Sequence, residues 1–203
     1  MARKICGVGV NDADYSVTFY NSDGTRGHCP YYRKWASMIN RCYNGSFSTY
    51  DNSVVCDEWK YFSNFKKWMI EQDWVGMELD KDLLYPNNSI YSPEKCLFVP
   101  KELNSLFVDS KSSRGECPMG VSFDKRREKY ESCISIDNRK KFLGYFDDQY
   151  SAHKAWQNYK VIILREQLEK FSDIKYKNII ISRIDKLLLD IENNIVTKSL
   201  HHY

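Results

Sequence analysis

The 203-residue sequence predicts an α+β protein built from two modules. Three observations support this prediction. The first half combines two aromatic-rich stretches of helical period with two short extended runs, and the second half has three short alternating runs followed by a helical period. Between them, residues 109–118 have the sequence DSKSSRGECP, which has no apolar residue except Cys117 and is typical of a linker.

Helical spacing comes first along the chain. Apolar residues repeat every three to four positions over Tyr31–Tyr43 and Asp57–Ile70, which predicts two amphipathic helices. Two extended runs follow, Met77–Leu84 and Tyr91–Pro100, with a turn-prone Pro-Asn-Asn between them. Proline suits the first position of a helix, so Pro100–Leu106 is predicted as the last helix of the first module, residues 1–108.

The linker is followed by three short runs, GVSFD, KYESCISID and KKFLGYFD, joined by polar turns. This pattern predicts a three-stranded antiparallel meander. From Ser151 the apolar period becomes helical, so we expect one helix to back the sheet. The second module is therefore 119–172, and a C-terminal helix follows it in 173–203.

The C-terminal helix has an apolar stripe that is wide enough to be buried against another surface. We expect it either to pack back on the body of the protein or to form a homodimer. The stripe consists of Ile180, Ile184, Leu187, Leu188, Ile191 and Ile195.

Composition narrows the classes of function. Hydrophobic residues make up 42% of the chain, which is ample for a packed core and excludes wholesale disorder. No run approaches the roughly 18 apolar residues of a membrane helix, and the start lacks the apolar core of a signal peptide, so we expect a soluble, cytoplasmic protein. Seven irregularly spaced cysteines indicate reduced thiols, and four histidines exclude a mechanism that needs several of them.

The positive charge is concentrated in the second half. The chain holds 30 basic and 27 acidic residues, but residues 1–108 hold 12 and 13. Between Gly120 and Tyr145, seven basic residues stand against four acidic ones and alternate with aromatic residues. A twisted sheet can lay such a face in a DNA groove, so we predict a surface for double-stranded DNA. The alternative is a solvated basic hairpin without a ligand.

The segment from Leu79 to Asn104 has the most specific chemical pattern. A carboxylate, Asp80, ends one strand, a hairpin returns the chain, and the carboxamide of Asn104 lies about one turn into the next helix. Such oxygen ligands can converge on one hard cation. Asp82 stands two residues from Asp80 and is expected on the same strand face, as a second ligand or a base. The alternative is an ordinary solvated charge cluster beside a turn.

The first 108 residues resemble a group of bacteriophage proteins classed as HNH homing endonucleases. The resemblance lies in CGVGVNDADY, CPYYRKWASMINRCYN, VCDEWKYFSNFKKWM and LDKDLLYPNNSIYSPEKCLFVPKELN. It implies a ββα-metal module and a phage-encoded, metal-dependent DNA endonuclease. It also implies that Asp80 and Asn104 hold Mg²⁺ or another divalent cation.

Two positions depart from the usual pattern of that family. Lys81 stands where the family normally has a basic His, and Lys95 stands where it normally has a bracing Asn. An ordinary lysine, with a pKa near roughly 10.4, is protonated at neutral pH and cannot accept a proton from water. The base is therefore Asp82, or Lys81 in its neutral form, and the sequence leaves both open. The predicted catalytic set is Asp80, Lys81, Asp82 and Asn104.

The stretch after the linker resembles the AP2 DNA-binding domain. The matching positions are Gly120-Val121, Lys129-Tyr130, Leu143-Gly144-Tyr145-Phe146 and the Ala-containing helix at 152–155, with Tyr130 in place of the usual Trp. The resemblance implies a set of residues that face DNA: Ser122, Lys125, Arg126, Lys129, Ser132 and Lys141.

Two further alternatives remain from the sequence. The chain could be a catalytically inactive DNA-binding or host-modulating protein on a degenerate HNH scaffold, or a scaffold that binds a host protein through its terminal helix. Four cysteines of the first half could also hold a structural zinc ion, but their spacings of 13, 14 and 40 favour buried free thiols: Cys29, Cys42, Cys56 and Cys96.

Overall fold

A computed structural model describes residues 4–46, 52–107, 115–136 and 139–201. The protein is α+β, with five α-helices and several small sheets in the described ranges, as the α+β part of the predicted fold class requires. The chain divides into two compact units, 1–101 and 102–203. The predicted linker, 109–118, overlaps 108–114, which lie outside the described residues.

The first unit begins with two small antiparallel sheets that periodicity did not predict. Strands of two or three residues are too short to show an alternating pattern. The sheets pair β1 with β2 and β3 with β4, over Lys4–Ile5, Gly9–Val10, Thr18–Tyr20 and Arg26–His28.

Helix α1 (Pro30–Tyr43) confirms the first predicted helix. Proline lacks a backbone N–H, and the first position of a helix does not require one. The predicted helix over 57–70 is split by Tyr61, which is extended (φ −96°, ψ 127°). A 3₁₀ turn (Glu58–Lys60) precedes it, and α2 (Phe62–Ile70) follows it.

The core of the first unit is built on aromatic residues from these helices. Trp35, Phe62 and Phe65 are fully buried, and the Trp35 indole N–H donates to the Trp59 carbonyl oxygen at 2.7 Å. Ring pairs at 4.5–6 Å, such as Trp59 with Trp68 at 4.5 Å, add a modest stabilisation to the burial of their apolar area.

A hairpin carries the predicted chemical segment. Strand β6 (Met77–Asp80) pairs antiparallel with β8 (Leu97–Pro100), and Asp80 lies opposite Leu97. Both strands are shorter than predicted, because residues 81–96 form a long connection. Within it, β7 (Ile90–Tyr91) pairs in parallel with β5 (Val54–Val55). Helix α3 (Lys101–Ser105) follows β8 directly, so Pro100 ends the strand.

The second unit contains the predicted three-stranded meander. Strands β9 (Val121–Asp124), β10 (Lys129–Ile136) and β11 (Arg139–Phe146) are antiparallel, with β10 in the centre. A bulge at Leu143 shifts the register, since Ser132 lies opposite Gly144 and Cys133 opposite Phe142.

Helix α4 (Gln149–Leu168) packs against all three strands. It begins two residues before the predicted Ser151, because the Asp148 carboxylate accepts hydrogen bonds from the backbone N–H groups of Tyr150 and Ser151. This side chain caps the helix and favours its N-terminal end.

Helix α5 (Ile174–Glu192) packs against α4. Ile180, Ile184 and Leu187 of the predicted stripe are buried in the second unit, whereas Leu188 and Ile195 remain exposed. The stripe therefore packs back on the body of the protein, and homodimer formation stays a prediction. Among the described residues, none of the helices combines the length and apolar character needed to cross a membrane.

Candidate functional site

The Asp80 side chain organises the chain as it leaves β6. Its Oδ1 accepts hydrogen bonds from the backbone N–H groups of Asp82 and Leu83, both at 2.8 Å. These bonds turn the backbone sharply, and they leave the second carboxylate oxygen of Asp80 without a hydrogen bond from the described residues. One oxygen thus shapes the loop, and the other is available to a ligand.

Three consecutive charged side chains are buried at this turn. Asp80, Lys81 and Asp82 are 8%, 6% and 8% exposed. The alternative of a solvated charge cluster is therefore wrong. Burial of charged groups is costly unless they are paired, so the contacts among the three decide whether this loop is stable.

Lys81 pairs with the carboxylate that follows it. Its Nζ lies 2.5 Å from Asp82 Oδ1 and donates to the Asn88 carbonyl oxygen at 2.9 Å. The Tyr91 ring lies 5.9 Å from the same ammonium. Asp82 was expected on the strand face of Asp80, and this is wrong, because β6 ends at Asp80 and Asp82 lies in the loop beyond it.

Asn88 braces the long connection, and sequence reasoning missed it. Its Nδ2 donates to the carbonyl oxygens of Lys81 at 2.9 Å and Ile90 at 2.8 Å, while its Oδ1 accepts from the Ile90 N–H at 3.1 Å. Lys95, which stands where the family's bracing Asn was expected, contributes a backbone N–H to Ser92. The Pro-Asn-Asn turn, which predicts the boundary between the two extended runs, also contains Asn88.

The chemistry of the donor set at the loop suits a hard cation. The free oxygen of Asp80 and the second oxygen of Asp82 are carboxylate ligands of the kind that Mg²⁺ prefers. The described residues contain no group of three or more His, Cys, Asp and Glu side chains placed to hold a metal ion. A cation here would therefore complete its shell with water or phosphate oxygens, as Mg²⁺ commonly does.

Asn104, the other predicted metal ligand, belongs to the second unit. It lies on α3, and its Oδ1 is 3.3 Å from Nε2 of His201. Asp80 belongs to the first unit. The assignment of Asn104 as a ligand stays a prediction.

The cysteines are free thiols. Burial raises the pKa of Cys96 to about 12 and the pKa of Cys42 to about 11. These two groups are therefore neutral thiols at pH 7.

The sheet of the second unit has one covered face and one open face. Side chains alternate along β10, so Ser132 and Ile134 point toward α4 and are buried. The opposite positions, with their cross-strand partners, form what we call the open face: Ser122, Asp124, Lys129, Glu131, Cys133, Ser135, Lys140, Phe142 and Tyr145.

Basic and aromatic side chains interleave on and beside the open face. Phe142 and Tyr145 are 51% and 41% exposed, and their ring centroids lie 4.9 Å apart across the bulge. The Arg127 guanidinium lies 5.0 Å from the Tyr145 ring centroid. Lys140 donates to Glu131 Oε1 at 2.8 Å, which places a salt bridge in the middle of the face.

The structure separates the six residues that were predicted to face DNA. Ser122 and Lys129 lie on the open face, and Lys129 pairs with Asp147. Lys125 and Arg126 lie in the exposed turn between β9 and β10, where Asp124 Oδ1 accepts from the Arg126 N–H at 2.9 Å.

Two residues of that set, Ser132 and Lys141, lie on the covered side of the sheet. Ser132 is 0% exposed beneath α4, so it does not face a ligand on the open face. Lys141 lies opposite Ile134, on the covered side, and its Nζ contacts the Tyr159 hydroxyl of α4. Alternation along β10 already puts Ser132 on the face opposite Lys129, three residues away, and the pairing of Lys141 with Ile134 puts Lys141 on the covered side.

Four basic or aromatic residues on or beside the open face were absent from the predicted set: Arg127, Lys140, Phe142 and Tyr145. The sequence feature that indicates them is the alternation of basic and aromatic residues along this stretch. Comparison with known proteins identifies no relative, since no family model, curated protein or solved structure matches the chain.

Proposed function

We propose that the protein is a metal-dependent DNA endonuclease that holds double-stranded DNA on the open face and hydrolyses a phosphodiester bond at the Asp80 loop. One observation carries the proposal: a three-stranded sheet is backed by α4 and leaves its other face open, with cations and exposed aromatic rings. The HNH and AP2 resemblances of the sequence point in the same direction.

The open face supports DNA binding on physical grounds. The major groove admits β-strands, and Lys and Arg side chains contact phosphates and base edges there. Lys125 and Arg126 in the turn and Lys140 on β11 would supply this charge. Phe142 and Tyr145 offer apolar contact of the kind that thymine methyl groups accept.

Arg127 is preorganised beside the face. Its guanidinium lies over the Tyr145 ring and donates to Asp124 Oδ2 at 3.1 Å, so it enters the complex in a restrained conformation. Restraint before binding reduces the entropy that the side chain loses in the complex.

The Asp80 loop supports hydrolysis. A divalent cation held by Asp80 would stabilise negative charge on the phosphate that is cut. Side chains next to Asp80 would then orient the attacking water molecule and accept its proton. Lys81 donates to both Asp82 and Asn88, so it acts as a hydrogen-bond donor and an electrostatic stabiliser. Asp82 keeps one oxygen outside that pair and is the group proposed to accept the proton.

A second candidate is DNA binding without cleavage, by a degenerate nuclease scaffold. The observation that favours it is the Lys81–Asp82 pair, because an ammonium against Asp82 lowers the negative charge that a cation would meet. Both candidates use the open face, and cleavage distinguishes them.

The test is nicking of supercoiled plasmid DNA with Mg²⁺ or Mn²⁺, by the wild type and Asp80→Asn. The amide oxygen of asparagine can still accept the two backbone hydrogen bonds, so the turn is kept while the anionic oxygen is lost. We expect cleavage to fall about 10²-fold or more, with duplex binding unchanged. Asp57→Asn, at an exposed carboxylate of the same unit, is the matched control and keeps the wild-type rate.

Two results would count against the proposal. Cleavage by Asp80→Asn at the wild-type rate would exclude this loop as the site of hydrolysis. Salt-sensitive duplex binding by the wild type, with no nick in any divalent cation, would leave DNA binding alone as the function.

A further inference from the structure

A basic groove lies on the first unit beside β6. Its walls include Arg33, Lys34 and Arg41 of α1 and Glu78 of β6, around a cavity of about 210 Å³. We infer that this groove binds a phosphate of the nucleic-acid backbone, as a DNA contact separate from the open face. The inference rests on the proposed function, since it names a second site for the same ligand.

The groove takes its shape from helical spacing. Arg33, Ser37 and Arg41 are four residues apart, so they line one side of α1 over roughly 12 Å. Arg33 and Ser37 are exposed. Guanidinium and hydroxyl groups are donors that commonly contact phosphate oxygens.

The charges of the groove are unbalanced. Of the described residues that line the cavity, three are cations and one, Glu78, is a carboxylate. Burial lowers the pKa of Lys34, and the nearby charges of Arg41 and Arg33 lower it further, while Glu78 opposes them. Lys34 Nζ donates to the Met77 carbonyl oxygen at 2.5 Å, which fixes the ammonium at the wall. A bound phosphate would relieve the repulsion among these cations.

The groove is close in sequence and space to the Asp80 loop. Glu78 and Leu79 line the cavity, and Asp80 is the next residue of the same strand. A strand advances about 3.3 Å per residue, so the Cα atoms of Glu78 and Asp80 are roughly 7 Å apart. A phosphate in the groove would therefore anchor the DNA strand next to the bond that is cut.

The experiment measures binding of a fluorescently labelled duplex by anisotropy, with the full chain, between about 50 and 200 mM salt. The test variant is Arg33→Gln with Arg41→Gln. We expect about 10-fold weaker binding and a salt dependence reduced by about two released counterions. Lys4→Gln with Lys67→Gln removes the same charge at exposed positions outside the groove and keeps the wild-type slope.

The outcomes separate this inference from the proposed function. If the wild type binds with a steep salt dependence and the groove variant matches the control, the groove is not a DNA contact, while the open-face proposal stands. If the wild type shows no salt-dependent binding, both fail. If the double variant does not fold, Arg33→Glu alone replaces it, because the Arg33 side chain is exposed. We expect this single variant to weaken binding by at least the effect of losing one phosphate contact.

Discussion

At the scale of single residues, Lys160 is a cation buried in the second unit. It is 9% exposed, and its Nζ donates to the Leu106 carbonyl oxygen at 2.6 Å. Burial lowers its pKa from 10.5 to about 8. At neutral pH the folded protein therefore keeps a charge in a poorly solvated position, which costs stability.

We predict that this destabilisation decreases as the pH rises. Between pH 8 and 10.5 the unfolded chain keeps the Lys160 proton and the folded chain releases it. The contribution of Lys160 to the free energy of unfolding of the wild type therefore rises with pH. Methionine does not titrate, so the Lys160→Met variant lacks this pH-dependent contribution. Its free energy of unfolding relative to the wild type should therefore fall by about 2 kcal/mol from pH 7 to about pH 9.5.

Urea unfolding of both proteins at the two pH values checks this. The lost hydrogen bond to Leu106 shifts both measurements equally, so the change with pH isolates the proton. A difference that is constant across the range would show that Lys160 titrates normally.

At the scale of elements, the start of β9 and α4 meet at a glycine. Gly120 has a φ of +74°, and a Cβ there would lie 1.9 Å from the Trp156 ring. The ring itself is buried between helix and sheet. The glycine before β9 thus has a packing reason: the backbone must pass against the indole of α4.

Gly120→Ala should destabilise the second unit by about 3 kcal/mol or more, from the left-handed backbone and the overlap with Trp156 together. Gly115→Ala is the matched control, because Gly115 has a φ of +63° with open space around its Cβ position, and it should cost about 1 kcal/mol. Thermal unfolding of both variants measures the difference. Equal losses would show that backbone conformation alone matters at Gly120.

The elements were predictable where the period was long. Helix α1, the three-strand meander, α4 and α5 each present enough residues for a helical or alternating pattern to emerge. The strands of two or three residues in the first unit could not be found this way. The break at Tyr61 was hidden as well, because a 3₁₀ turn and an α-helix bury the same kind of apolar residue on one side.

At the scale of the whole molecule, residue types were easier to predict than their partners. The sequence indicated Asp80 and a basic sheet, but burial of the Asp80 loop depends on Asn88, which joins its two ends through three hydrogen bonds. The placement of Phe142 and Tyr145 on one face depends on the bulge at Leu143. These features depend on tertiary contacts or on an irregular strand, so the spacing of residue types along the sequence does not predict them.

Two adjacent lysines of β11 offer a test of how the protein holds DNA. Lys140 lies on the open face beside Glu131, whereas Lys141 is turned toward α4, with its Nζ 4.3 Å from the Tyr159 ring centroid. Substitution by glutamine removes one charge in each case. If net charge alone attracted DNA, the two variants would behave alike, because long-range steering responds to the summed charge.

We expect them to differ. Lys140→Gln should weaken duplex binding about 3- to 10-fold and lower the salt slope by about one counterion, while Lys141→Gln keeps wild-type binding. In the nicking assay, Lys140→Gln should raise the DNA concentration for half-maximal rate and leave kcat unchanged, since the open face binds DNA without taking part in hydrolysis. Equal losses in the two variants would show that net charge alone attracts DNA, and a loss confined to Lys141→Gln would place the DNA contact away from the open face.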